Sequence, residues 1–299
     1  MKKLLALLLG LSLALSGAAL AETTYPFATE DMNGNAVTIE EQPDAVVSLT
    51  PSNTEILYSL GAGDLVKGVD SYSNYPAEAL ENATVVGAYA DTDIEAVLAL
   101  EPDVVFAGTG TLQEESRAQL AEAGVVVVET EAVDYAGIPT SIQRIADILN
   151  IDAQPLLTEM RDKEAALLET AAEAGSCTVY FALSFGEYGE WSAGPGTFID
   201  TMITMAGGVN IMDDPALPWP NPSLESILEA DPDVILVSGG AEMAQLFLEG
   251  EAYQDLSAVQ NGHVYGVDAD MSNRPGPRIV DSLGEFVSAI NDALAAEEE

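Results

Sequence analysis

Short apolar runs, typical of buried strands, alternate along this chain with segments in which apolar residues recur at helical spacing. The predicted strands are Val46–Leu49, Val104–Ala107, Val125–Val128, Thr178–Leu183, Val234–Val237 and His263–Val267. The predicted helices begin at Pro51 and also cover 93–100, 113–123, 197–206, 224–230 and 279–296. This alternation is typical of an α/β fold.

Two longer helical patterns, Ile138–Leu149 and Pro155–Ala174, lie between the two series of strands. Only residues 150–154 interrupt them, and helical connectors of this kind are stiff. The pattern therefore predicts two α/β lobes with a rigid link. The expected division is an N-terminal lobe at 22–137, a connecting helical segment at 138–175 and a C-terminal lobe at 176–299.

Local motifs refine the N-terminal lobe. Asn33-Gly34, flanked by extended-type residues, predicts a hairpin within 27–39. Ser52 followed three residues later by Glu55 matches a capping box, which predicts that Ser52 caps the first helix. Gly61 and Gly63 predict its end.

The first residues have the pattern of a secretory signal. Two lysines precede the apolar run Leu4–Leu15, and small residues then lead to Ala21. The alternative, a membrane anchor, needs about 20 apolar residues without such interruption. We therefore expect residues 1–21 to be a signal peptide cleaved after Ala21. No Cys lies near this site, so we expect no lipoprotein attachment there.

The composition is strongly acidic, with 50 Asp+Glu against 9 Lys+Arg and a net charge of -41. This charge excludes a nucleic-acid-binding protein, because neutralising phosphates requires a basic face. Two readings of the acidity remain, adaptation to high salt and a cationic partner. A hydrophobic content of 48% is sufficient for a globular core.

After Lys163 the only cations are Arg274 and Arg278, which share one short loop.

Catalytic and metal-binding chemistry has little support in this composition. The chain has a single Cys, Cys177, and a single His, His263. These counts exclude a disulfide framework and a Cys-based zinc site, and they disfavour a Ser-His-Asp triad and a binder of free metal ions. An exported α/β hydrolase is a rival class, but the chain has no G-x-S-x-G nucleophile motif.

An internal repeat supports the two-lobe division. The segment from Asp93 to Phe106 (DIEAVLALEPDVVF) recurs as the segment from Ser223 to Leu236 (SLESILEADPDVIL). One reading is a generic helix, Pro-Asp turn and strand, and the other is a pair of related lobes. In the second reading, each lobe presents a Glu, Glu95 or Glu225, in the first turn of an equivalent helix. Two such carboxylates are suited to a partner with two matching cations.

Aromatic residues in loops form a second constellation. Tyr72, Tyr89, Trp191 and Trp219 all lie in polar or Gly/Pro-rich segments between predicted elements. Each alone is compatible with ordinary packing, but together they indicate an aromatic-lined cleft. The polar loop 270–278 lies just before the last helix, where an Arg either braces the loop or binds ligand.

Several segments, in this order, resemble the helical-backbone class of ABC-importer substrate-binding proteins. They are VVSLTPSNTEILYSLGAG, SYSNYP, the two Glu-containing repeats, GPGTFIDTMITMAGGVNI, PWPNPSLES, NGHVYGVDAD and RPGPR. The class takes up vitamin B12, haem and iron-siderophore chelates, and the chain is most similar to its vitamin B12 (corrinoid) members. The resemblance extends over essentially the whole chain after residue 21.

This resemblance implies two Rossmann-like lobes joined by a single long helix, with the ligand in the cleft between them. The implied ligand-binding residues are Tyr72, Tyr89, Trp191, Trp219, Asp270, Met271 and Arg274, and Glu95 and Glu225 are the implied permease-docking residues. Tyr89 and Met271 stand where one corrinoid-binding member of the class carries tryptophans, which keeps haem and ferric siderophores as alternative ligands.

The functional expectation is a non-catalytic binding protein that captures a large metal chelate. It would be a periplasmic monomer without a resident cofactor or metal. Its partners would be an ABC permease with the cognate ATPase, and it would neither bind nucleic acid nor insert into a membrane.

Overall fold

The computed structural model describes residues 23–89 and 91–297. The expected signal peptide and its cleavage site lie outside these residues. Within them, no helix combines the length and apolarity needed to cross a membrane.

The N-terminal lobe contains a five-stranded, entirely parallel sheet in the order β5-β4-β3-β8-β9. Two antiparallel pairs accompany it, β1 with β2 and β6 with β7. The strands are β1 (Phe27–Glu30), β2 (Ala36–Ile39), β3 (Val46–Ser48), β4 (Val66–Val69), β5 (Thr84–Val85), β6 (Gly87–Ala88), β7 (Asp91–Thr92), β8 (Val104–Ala107) and β9 (Val126–Glu129). The helices are α1 (Pro51–Ser59), α2 (Glu78–Asn82), α3 (Ile94–Ala99), α4 (Glu114–Glu122) and α5 (Ile138–Leu149).

The C-terminal lobe contains a second parallel sheet, of four strands in the order β11-β10-β12-β13. Its strands are β10 (Cys177–Ala182), β11 (Gly208–Asn210), β12 (Val234–Ser238) and β13 (Val264–Val267). The helix before it is α6 (Gln154–Leu168), and those that follow are α7 (Phe198–Met205), α8 (Leu224–Ala230), α9 (Gly240–Glu249), α10 (Ser257–Asn261), α11 (Ala269–Ser272) and α12 (Ile279–Glu297). Two parallel sheets with helices between their strands confirm the predicted α/β, two-lobe architecture.

The connecting segment consists of two helices, as the interruption at 150–154 predicts. Asn150 adopts the left-handed conformation that ends α5. Helix α5 is largely buried and packs against α1, so it belongs structurally to the N-terminal lobe. Helix α6 packs against α12 and is the link between the sheets. It ends at Leu168, short of the predicted Ala174.

The main hydrophobic core is continuous between the two lobes. A single cluster of buried side chains includes Phe106 of the first sheet, Ile142 of α5, Phe181 of the second sheet and Phe286 of α12. Phe181 and Phe286 stack with their ring centroids 5.9 Å apart. The lobes therefore share apolar packing in addition to the covalent link.

The sequence repeat is a structural repeat. Asp93 caps α3 by accepting from the Ala96 N–H, and Ser223 caps α8 by accepting from the Ser226 N–H. The helix-terminating residues Glu101 and Asp231 have equivalent left-handed conformations, with φ of 48° and 41°.

The aspartates after these turns also act alike. The Asp103 carboxylate accepts from the backbone N–H groups of Asp44 and Ala45, just before β3. The Asp233 carboxylate accepts from the N–H of Thr178 in β10. Each carboxylate thus holds the start of the strand next to its own, which favours the reading of two related lobes.

The predicted capping box is wrong. Thr50, not Ser52, is the N-cap of α1, and its Oγ1 accepts from the Asn53 N–H. Pro51 occupies the first helical position, which suits its fixed φ and its missing N–H, and Ser52 therefore lies inside the helix. Glu55 is buried and makes ion pairs with the loop 273–278 instead of reaching back to the cap.

Candidate functional site

The residues singled out in the sequence lie on loops that follow parallel strands. Tyr72 follows β4, Trp191 lies in the loop after β10, and Asp270 and Met271 follow β13 on α11. Ligands of open parallel sheets bind at the carboxyl ends of the strands. Each sheet therefore contributes loops that are candidates for contact with a ligand.

Tyr72 and Tyr89 are joined by their supporting backbone. Tyr89 lies in the turn between β6 and β7, and the Ser71 N–H donates a 2.8 Å hydrogen bond to the Gly87 carbonyl at the base of that hairpin. Residues Tyr72 and Tyr89 are 60% and 51% exposed. These rings are available for contact with a ligand.

Trp191 and Trp219 form the second group. Backbone hydrogen bonds join their loops, from Ser192 N–H to Pro220 O at 2.9 Å and from Gly194 N–H to Pro218 O at 2.8 Å. The tryptophans are 42% and 43% exposed. Trp219 also packs edge-on against Phe198, with the ring centroids 6.2 Å apart. The loops hold both indoles at the protein surface.

The loop of Trp191 is anchored by a buried carboxylate that was not predicted from the sequence. The adjacent Glu190 is buried, and its Oε1 accepts from the Tyr253 hydroxyl at 2.7 Å and from the Gly186 N–H at 3.1 Å. Burial raises the pKa of the Tyr253 phenol, and the hydrogen bond to Glu190 raises it further. The other carboxylate oxygen, Oε2, is buried without a hydrogen-bond partner. No local motif reveals this anchor, because its partners lie far apart in sequence.

Arg274 is held by protein groups on several sides. Its guanidinium donates to Glu55 Oε1 at 3.1 Å, to Asn74 Oδ1 at 2.8 Å, to the Tyr72 carbonyl at 3.2 Å and to Asp270 Oδ1 at 2.6 Å. Its side chain is 11% exposed. Of the two roles open to this residue, the contacts favour bracing of the loop. Arg274 brings Tyr72 and Asp270 together.

Met271 and Asp270 occupy the short helix α11. The Met271 N–H donates to the capping Asp268 carboxylate at 2.9 Å, and the Met271 side chain is partly exposed. Asp270 is 44% exposed and accepts from Asn74 at 3.0 Å through Oδ2. Both can contact a molecule in solution, and Asn74 is a further polar group that the sequence analysis did not single out.

A buried polar network supports the Tyr72 loop. The Asp70 carboxylate accepts from the Tyr72 N–H at 2.8 Å and from the Ser73 hydroxyl. Burial raises the pKa of Asp70, against the opposing effect of these hydrogen bonds. Burial also raises the pKa of Glu131, which accepts from the Ser52 hydroxyl at 2.7 Å and is close enough to Asp70 to be raised further by its charge.

The two repeat glutamates lie in equivalent, solvated positions. Glu95 in α3 and Glu225 in α8 are both exposed and both lie in the first turn of a capped helix. The helix dipole favours a carboxylate there. Neither contributes to the groups formed by Arg274 or by the tryptophan loops.

Comparison with known proteins places this chain in a family. Residues 46–271 match the family described as periplasmic binding protein. A cobalamin-binding protein of Halobacterium salinarum is 30% identical over 284 residues, covering 90% of this chain and 75% of the relative. An ABC transporter substrate-binding lipoprotein of Bacillus subtilis, itself uncharacterized, is 29% identical over 274 residues, covering 89% of this chain and 86% of that protein.

A solved structure shares the fold over nearly its whole length. The crystal structure of the periplasmic vitamin B12 binding protein of Vibrio cholerae superimposes with a TM-score of 0.71 at 27% identity, covering 85% of this chain and 98% of the other. The chain belongs to the periplasmic binding protein family, in agreement with the resemblance seen in its sequence.

Proposed function

We propose that this protein captures a corrinoid of the cobalamin type outside the cytoplasm and delivers it to the permease of an ABC importer. The observation that carries the proposal is the set of exposed aromatic side chains, two tyrosines and two tryptophans, on loops at the carboxyl ends of two parallel sheets. The names of the Halobacterium and Vibrio relatives support the corrinoid class.

The chemistry of these loops suits a broad, flat chelate. Tyr72, Tyr89, Trp191 and Trp219 offer apolar ring faces, each of which contributes about 1–3 kcal/mol when a ligand covers it. Asp270 and Met271 offer a carboxylate and a thioether beside the Tyr72 loop. Since Arg274 is already bonded to four protein groups, its part is to fix that loop rather than to bind the ligand directly.

Glu95 and Glu225 would dock the protein onto the permease during delivery. Two solvated carboxylates at equivalent positions of two lobes can engage two cationic side chains of a permease at once, and the bivalent contact sets the orientation. The energy for transport would come from a separate ATPase, so no catalytic group is required of this chain. Export would follow from the signal expected in residues 1–21.

The test is calorimetric titration of the purified protein with cyanocobalamin, cobinamide, haemin and a ferric siderophore. We expect the two corrinoids to bind most tightly. Haemin or siderophore binding at micromolar or better affinity, with no heat from either corrinoid, would replace the corrinoid with that chelate. Absence of binding to all four would contradict the proposed function.

Variants locate the site. Trp191→Ala and Trp219→Ala should each weaken corrinoid binding by about tenfold, which corresponds to about 1.4 kcal/mol. The control is Leu246→Ala, which removes an exposed apolar side chain from α9 and should leave the affinity unchanged. Equal affinities in all three variants would remove the tryptophans from the site.

A further inference from the structure

Glu55 is a buried carboxylate of the N-terminal lobe whose charged partners all come from the C-terminal lobe. It lies on α1, which packs against β3, β4 and α5, and it is 1% exposed. Arg278 donates to both of its oxygens, from Nε to Oε2 at 2.8 Å and from Nη2 to Oε1 at 2.5 Å. Arg274 donates to Oε1 at 3.1 Å. One carboxylate therefore joins two arginines across the lobes.

The same two arginines hold the loop that carries Tyr72. Arg274 donates to the Tyr72 carbonyl and to Asn74, and Arg278 lies over the Tyr75 ring with its guanidinium carbon 3.8 Å from the centroid. The Tyr75 contact is a cation–π interaction, which is stronger when desolvated. The contacts thus reach both α1 and the loop after β4.

The C-terminal lobe supplies a firm base for these arginines. Arg274 is paired with Asp270 of α11, and the neighbouring Asp268 N–H donates to Glu285 of α12 at 2.9 Å. Helix α11 packs against α12, which contacts β12 and β13 of the second sheet. The two arginines are therefore connected to the second sheet through α11 and α12.

Cations are scarce in this chain, and two of them bind the single carboxylate of Glu55. These two arginines are the only cations after Lys163 in a chain with 50 acidic residues, yet both bind the same buried carboxylate. Burial alone would lower the pKa of the Arg278 guanidinium, but the hydrogen bond and the charge of Glu55 outweigh this effect and raise it. Glu55 is the one carboxylate that both arginines share, so the contact between them depends on its charge.

We propose that Glu55, Arg274 and Arg278 form an interlobe clasp that fixes the spacing of the two lobes before any ligand arrives and so positions the Tyr72 loop. The shared core joins the lobes through apolar packing, whereas the clasp joins the loops that carry the candidate ligand residues. Only the part concerning Tyr72 rests on the proposed function. The fixed spacing of the lobes is a property of the unliganded protein.

The experiment measures the distance between the lobes directly. Spin labels are placed at Ala99→Cys on α3 and Glu229→Cys on α8, which are exposed and equivalent in the repeat, in a Cys177→Ala background. Pulsed electron resonance then gives the distance distribution without ligand. The double variant Arg274→Met, Arg278→Met removes both cations that Glu55 binds, and it should shift or broaden the distribution by at least about 2 Å, the scale of a domain rearrangement. The control is Arg161→Met on α6, where the arginine is 68% exposed, and it should match the parent.

A milder variant covers the case in which the double variant does not fold. Glu55→Gln keeps the size of the side chain and removes the charge that both guanidinium groups bind. It should broaden the distribution less than the double variant and more than Arg161→Met. A parent distribution in folded Glu55→Gln, or in the folded double variant, would overturn the clasp. That result would stand whether or not the parent binds a corrinoid, so the clasp and the proposed function fail separately.

Discussion

The Tyr253 hydroxyl donates a 2.7 Å hydrogen bond to Glu190, the residue directly before the exposed Trp191. Tyr253 follows α9 and packs against Phe247 with the ring centroids 4.1 Å apart. The tryptophan loop is thereby fastened to the interior of the C-terminal lobe. A rigid aromatic surface loses little conformational entropy on binding, so this bond bears on affinity as well as on stability.

Tyr253→Phe should loosen the Trp191 loop. The substitution removes one buried hydrogen bond to Glu190, which costs about 1–3 kcal/mol because the carboxylate loses a partner. In a Trp219→Phe background, acrylamide should quench the remaining tryptophan fluorescence more strongly, and urea should unfold the protein at lower concentration. Tyr265→Phe in β13 is the matched control, and equal quenching in the two variants would contradict the anchor.

Charge reversal at both Glu95 and Glu225 should abolish association with the permease. Ligand affinity of the isolated protein should stay within about twofold of the parent, because both side chains are exposed on helices outside the candidate ligand groups. Co-purification with the permease and calorimetry measure the two effects. Normal uptake by the double Glu→Lys variant would refute the docking role, and a large loss of ligand affinity would move the pair into the binding site.

Glu131 should make the protein more stable in mild acid. Burial raises the pKa of Glu131 in the folded state, and the nearby Asp70 raises it further, so the folded protein binds the proton more readily than the unfolded chain. This contribution is fully present below the unfolded pKa of about 4.3 and is lost as the pH rises through the folded pKa. The free energy of unfolding should therefore increase as the pH falls from about 7 to about 5.

Glu131→Gln tests this effect by making the group permanently neutral while its oxygen can still accept from Ser52. The variant should have a higher Tm than the parent at neutral pH and a weaker dependence of Tm on pH. Some dependence should persist, because burial raises the pKa of Asp70 as well. The exposed Glu122→Gln at the end of α4 is the control. If its pH profile changes as much as that of Glu131→Gln, the assignment to Glu131 is wrong.

Salt should stabilise this protein at neutral pH. A net charge of -41 imposes self-repulsion on the folded state, and the Debye length falls from about 10 Å at 0.1 M to about 3 Å at 1 M. Tm measured in KCl should rise over this range, and the rise should largely vanish near pH 4, where many carboxylates are protonated. A Tm independent of KCl at neutral pH would count against adaptation to salt.

Most of the regular structure could be predicted from local pattern. The helix Ile138–Leu149 is observed with its predicted bounds, and the predicted strands begin and end within one residue of those observed. Helix α9 was not predicted, since it follows Gly239 and begins at Gly240, residues that disfavour helix and mark turns. The sequence repeat was informative because each copy covers a helix, a turn and a strand in the same order and at the same spacing.

The polar contacts across the molecule could not be predicted in the same way. Glu55 meets its arginine partners more than 200 positions along the chain, at separations of 219 and 223 residues. A Glu three residues after a Ser fits a capping motif equally well, and only the tertiary fold decides between the two. The one available signal was the scarcity of cations, which left two arginines in a single loop to serve many acidic residues.

The continuous hydrophobic core makes the two lobes a single cooperative unit. The cluster that includes Phe106, Ile142, Phe181 and Phe286 has members in both sheets and in the helices between them. Neither half can therefore melt and leave the other with an intact interior. Calorimetry should record one endotherm, with the calorimetric enthalpy close to the van't Hoff value. Two separated endotherms would mean that each half retains enough of its own interior to stay folded alone.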